Sequence, residues 1–118
     1  VIMLILVSEL IAAAKSSCDC FDHIQAKLFF DRNEDTIIID VREPKEAESS
    51  KLKDSVNIPR GLLEMKIIDI CDKHDTPILV HCRTGGRASL SANTLQIMGY
   101  SNVHVILADY DDLKMAFG

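Results

Sequence analysis

The chain has 118 residues, 47% of them hydrophobic and 26% charged, with a formal net charge of −5 at pH 7. That length suits one domain with a packed core and leaves little room for a second. The acidic balance argues against a nucleic-acid partner, whose phosphates favour a basic face, so any anion site must come from a few placed residues.

Val1 to Val7 is wholly apolar, and after Ser8-Glu9 the apolar theme resumes at Ile11 to Ala14. The stretch is too short to span a bilayer, and it lacks a basic n-region and a plain small-x-small cleavage site. It predicts an amphipathic helix over 8–17, with Leu10, Ile11 and Ala14 facing the rest of the chain. Residues 1–18 are read as a helical extension and 19–118 as the domain proper. No membrane span is expected, and the cytoplasm is the expected compartment. A start at Val leaves open a truncated signal, and with it the periplasm.

A second helix is expected over 22–31, with Ile24, Leu28, Phe29 and Phe30 as its apolar residues and Asp22 as N-cap. Thr36 to Val41 is short, β-branched and almost uninterrupted, as a strand buried on both faces should be. Pro44 then stops regular pairing. Ser55 to Ile58 reads as a strand closed by Pro59. Leu62 to His74 reads as a helix, with Leu63, Ile67, Ile70 and Cys71 on one stripe. Pro77 to His81 gives a strand, Gly86 to Met98 a helix with Gly99 at C′, Val103 to Leu107 a strand, and Asp109 to Phe117 a closing helix. Strands and helices alternate, which implies βαβ units: an α/β fold with a mostly parallel sheet of about five strands and helices on both faces. In such folds sites form beyond the C-terminal ends of the strands, here just after Val41 and His81.

Of the four cysteines, Cys18-Asp19-Cys20 lacks the two-residue gap of common zinc and redox motifs, so no metal is expected. Cys71 reads as a small buried apolar residue, and the patterned core needs no disulfides. Cys82 differs. It opens Cys82-Arg83-Thr84-Gly85-Gly86-Arg87, between a strand and a helix. Two glycines let backbone N–H groups turn inward, and the helix N-terminus adds partial positive charge, so the loop is an anion cradle. Such N–H groups, with Arg83 and Arg87 beside them, favour thiolate over thiol, and a thiolate is a nucleophile at neutral pH.

Several ordered segments resemble the rhodanese family. Asp40-Val41-Arg42-Glu43-Pro44-Lys45-Glu46 is similar to its "DVREPxE" signature, and Ser55 to Gly61 to its "GAxNIPxG" segment. Cys82 to Arg87 resembles the "CRxGxR" active loop, and Leu95 to Val103 resembles "LxxxGYxNV". The likeness runs from about residue 20 to 107. It implies a sulfurtransferase without a cofactor. Cys82 would attack the outer sulfur of thiosulfate or a similar anionic donor, hold it as a persulfide, and pass it to cyanide, a thiol or a protein sulfur acceptor. The N–H groups of Thr84, Gly85 and Gly86 would cradle the sulfur, with Arg83 and Arg87 favouring the anion. Asp40 and Arg42 would organise the loop, and Arg60 is a candidate for its rim. Alternation along the strand turns His81 away from Cys82.

Two places depart from that pattern. Ser50-Lys51-Leu52 replaces the usual "GHI", and Leu107 to Leu113, with Asp109, Asp111 and Asp112, replaces the tail "LxGGxxxW". Carboxylates near an anion site would oppose thiosulfate, unless they only cap the closing helix. Two other functions fit the fold. Phosphatases and arsenate reductases use Cys-x5-Arg, whereas Arg87 stands five places after Cys82 and the sixth is Ala88. A non-enzymatic binding module typically loses the cysteine or breaks the loop, and this chain keeps both.

Overall fold

The computed structural model describes residues 3–118. In chain order it forms α1 (Val7–Ser17), β1 (Asp19–Phe21), α2 (His23–Arg32), β2 (Ile37–Asp40), α3 (Pro44–Ser49) and β3 (Ser55–Asn57). A 3₁₀ turn (Arg60–Leu62) leads into α4 (Leu63–Ile70), then β4 (Ile78–His81), α5 (Gly86–Ile97), β5 (Val103–Ile106) and α6 (Tyr110–Phe117). The five strands make one sheet in the order β1-β5-β4-β2-β3, with every neighbouring pair parallel. This is the expected α/β architecture.

Each strand residue faces one of two cores, because side chains alternate across a sheet. Ile39, Val80 and Val105 pack with Leu63 and Ile67 of α4 and with Ala88, Ala92 and Leu95 of α5. Ile38, Leu79 and Ile106 pack on the other face with Ala26 of α2 and with Leu113 and Phe117 of α6. β4 is buried along its whole length, as a strand covered by helices on both sides must be.

Several local expectations need correction. Pro44 does more than end pairing: it opens α3, where its missing N–H and fixed φ suit a first helical position. β1, three residues long, has too little pattern to show in the sequence and pairs at the edge with β5. The expected helix 62–74 is α4 preceded by a 3₁₀ turn, and the chain turns extended at Cys71, which leaves Ile70 42% exposed. In α2 the packed face is Ala26 with half-buried Phe29 and Phe30, while Ile24 and Leu28 point to solvent. Asp22 does cap that helix, accepting the Gln25 N–H at 2.7 Å. α1 lies on α5 through Ala14 and Ile11, with Leu10 exposed, and Ser17 Oγ donates to Asn93 Oδ1. Gly99 sits at C′ of α5 with φ +111°, as expected. Among the described residues no helix is long and apolar enough to cross a membrane. Of the apolar run Val1 to Val7, the first two residues lie outside the described chain, and Met3 to Leu6 are exposed.

Candidate active site

Parallel register brings the strand ends together: Asp40 stands beside His81 on one side and Asn57 on the other. The loops that follow β2, β3 and β4 therefore share one edge of the sheet. There Cys82 leaves β4 on the α5 side, 3% exposed, and its Sγ accepts the N–H of Gly85 at 3.1 Å and of Ala88 at 3.4 Å. Both donors belong to the start of α5, so a sulfur anion there faces aligned N–H groups and the positive end of the helix.

Gly85 is required by geometry. Its φ is +123°, and a Cβ there would lie 2.6 Å from Leu107 Cδ2. Gly86 lies under α1, where a Cβ would stand 3.1 Å from Ile11 Cδ1. Ser89 Oγ closes the turn on the Gly85 carbonyl at 2.7 Å. Thr84 is exposed at the tip of the loop.

The two loop arginines have different surroundings. Arg87 donates twice to Glu46 of α3, at 2.7 and 3.1 Å. That ion pair holds the Glu46 carboxyl down at about 2. Glu46 also accepts the Glu43 N–H at 2.9 Å, so the first turn of α3 aims the carboxylate at Arg87. Arg83 is exposed and lines a cleft of about 580 Å³ between α3 and α6. Its carbonyl accepts the Tyr110 N–H at 2.9 Å, which fastens the loop to α6.

Asp40 and Arg42 form a buried pair behind the loop. The guanidinium meets both carboxylate oxygens, at 3.0 and 2.8 Å, and Arg42 also donates to the Ser50 carbonyl at 2.7 Å. Asn57 Nδ2 bonds the carbonyls of Asp40 and Arg42, both at 2.9 Å, and the Tyr110 ring lies under the guanidinium at 4.2 Å. His81 is fully buried on the opposite side of the sheet from Cys82, near Tyr110. Burial pushes its pKa below the ordinary range, its Nδ1 faces the Cys82 carbonyl at 3.3 Å, and its Nε2 has no hydrogen-bond partner. Arg60 turns away to Glu64 at 3.1 Å and Thr94 at 3.3 Å, and does not reach the cleft.

Sequence reasoning left Glu46 and Tyr110 outside the site. Glu46 stood in the signature string, three places after Glu43, and that helix-start spacing was the available signal. The acidic segment after β5 is split by α6. Asp111 lines the cleft, while Asp109 and Asp112 do not, and Asp109 holds the N-cap position without a side-chain bond.

Residues 25–116 match the rhodanese-like domain family. The chain belongs to that family. A sulfurtransferase of Allochromatium vinosum is 27% identical over 70 residues, which is 59% of this chain and 64% of that protein. The chain spans less of three other curated relatives it matches. Among solved structures, the polysulfide-sulfur transferase homodimer of Wolinella succinogenes is 27% identical with a TM-score of 0.73, over 86% of this chain and 77% of that one. A Rhodopseudomonas palustris protein of unknown function, described as a possible tyrosine phosphatase, is 25% identical with a TM-score of 0.83, over 100% and 96%.

Proposed function

We propose that this rhodanese domain is a sulfurtransferase whose Cys82 carries the transferred sulfur. The observation that carries the reading is the Cys82 Sγ at the start of α5, accepting the N–H groups of Gly85 and Ala88. A thiolate there attacks the outer sulfur of thiosulfate. The new bond is Cys82 S–S, the bond to the sulfonate breaks, and sulfite leaves with the electron pair. The Cys82 persulfide keeps the negative charge, which the loop N–H groups stabilise. Cyanide then takes the outer sulfur as thiocyanate and returns the thiolate. Arg83 favours the approach of an anion from the cleft side, and Arg87, held by Glu46, adds a fixed positive charge at the start of α5. Asp40, Arg42 and Tyr110 are positioning residues that fix the loop from behind.

Incubation with thiosulfate followed by intact-mass measurement tests this. The wild type should gain the mass of one sulfur, and Cys82→Ser should gain none. A gain that survives in Cys82→Ser removes Cys82 from the reaction. The phosphatase alternative draws support from the Rhodopseudomonas palustris likeness. Its larger cradle would need an arginine where Ala88 stands, so aryl phosphate hydrolysis by this chain should be slower than sulfur transfer. Faster hydrolysis would reverse the choice.

A further inference from the structure

The longest unbroken run of exposed large apolar side chains among the described residues is Met3 to Val7, each between 63% and 90% exposed. Leu10, three places on, is exposed as well. A single exposed leucine is ordinary, but five such residues in succession on a folded chain mark a contact surface.

The direction of α1 places this run on the molecule. Gly86, the first residue of α5, lies under Ile11, and Asn93, seven residues further along, meets Ser17 at 3.2 Å. α1 therefore runs alongside α5 in the same direction. Val7, four residues before Ile11, stands about 6 Å beyond the start of α5, and Met3 to Leu6 precede it. The run thus leaves the domain at the edge that carries the Cys82 loop.

Its chemistry selects the occupant. Five consecutive residues complete more than one helical turn, and in extended backbone they alternate from side to side. Either way their side chains point all round, so a protein surface would cover one side of them and an apolar fluid all sides. Val1 to Val7 has no polar side chain, and Glu9 is the one charge in the first fourteen residues, so nothing there fixes the register of a protein partner. In lipid, backbone groups must pair within the segment, which Met3 to Leu6 achieve by continuing α1. Five helical residues rise about 7.5 Å, within the roughly 5–10 Å to which interfacial apolar segments sink and far short of the ~20 residues a span needs.

We propose that Met3 to Val7, with Leu10 at its border, inserts end-on into the surface of a neutral lipid bilayer and holds the domain there. With a net charge of −5 and no basic residue before Lys15, the chain has no electrostatic attraction to anionic headgroups, so apolar burial drives the binding. The inference is independent of what Cys82 transfers.

The test sediments the full chain with vesicles of phosphatidylcholine alone, or with a fifth of phosphatidylglycerol added. The wild type should pellet with the neutral vesicles and no better with the anionic ones, at low or high salt. Leu4→Glu/Ile5→Glu changes two exposed side chains outside both cores, and should lower the bound fraction at least about tenfold with an unchanged far-ultraviolet spectrum. Ile24→Glu, an exposed position on α2, should bind as the wild type does. Failure to pellet with neutral vesicles, binding that requires anionic lipid, or binding that survives the double substitution overturns the proposal. So does a lipid-free dimer in sedimentation velocity that the double substitution dissolves, since the run then belongs to a second copy of the chain.

Discussion

Glu46 joins two roles in one carboxylate: it caps the start of α3 through the Glu43 N–H and clamps Arg87 at the mouth of the loop. Glu46→Gln keeps the shape and loses the charge. It should lower kcat/KM for sulfur transfer about threefold to tenfold, because Arg87 gains freedom to swing away from the loop. The same pair has a pH signature. The carboxyl titrates near 4.5 when unpaired and is held at about 2 in the folded chain. Between those values the unfolded chain binds the extra proton, so stability from Glu46 is complete above about 4.5 and lost as pH falls toward 2. Urea midpoints for wild type and Glu46→Gln should therefore differ most above pH 4.5 and converge toward pH 2. A gap that stays constant across that window would show that the pair contributes nothing.

At the scale of elements, α6 does more than close the sheet. Its first residue, Tyr110, is 3% exposed and meets four separate parts of the site: the Arg83 carbonyl, the Arg42 guanidinium, the Ser50 hydroxyl and the His81 ring. Tyr110→Phe loses only the bond to Ser50 and should cost about 1 kcal/mol. Tyr110→Ala removes the ring under a buried guanidinium and leaves a cavity, for about 3–5 kcal/mol. Chemical denaturation measures both. The alanine variant should also lose sulfur transfer more steeply than the phenylalanine variant, since the backbone tether to Arg83 then lacks a packed side chain behind it. Equal losses would assign Tyr110 to stability alone.

For the whole molecule, the sheet and its two cores lie within residues 19–118, with α1 packed against α5 from outside. Removing residues 1–18 should leave a folded chain with the same far-ultraviolet strand signal. The loss of Ala14 and Ile11 from the α5 surface should cost about 2–3 kcal/mol, and Gly86 should become more exposed. Limited proteolysis would then cut near Gly86 sooner than in the full chain. A shortened chain that fails to fold would make α1 part of the domain.

Sequence alone determined the alternation of strands and helices, the parallel sheet and the cysteine loop at a strand end. Each is written in contiguous residues: the apolar run Ile37 to Ile39, the stop at Gly99, and Cys82 to Arg87 between β4 and α5. The fold decided what those residues meet. Arg87 finds Glu46 41 positions away, and Tyr110 finds Ser50 60 positions away. Those pairings follow from the strand order β1-β5-β4-β2-β3, which brings the ends of β2, β4 and β5 to one edge. Arg60, only a rim candidate in the sequence, pairs locally with Glu64 four residues on, whereas Lys114, silent there, is brought to the cleft by the packing of α6. A local pattern selects the element, because backbone geometry repeats every few residues. The partner of a charged side chain depends on which distant elements pack beside it, and only the closed sheet with its helices in place specifies that.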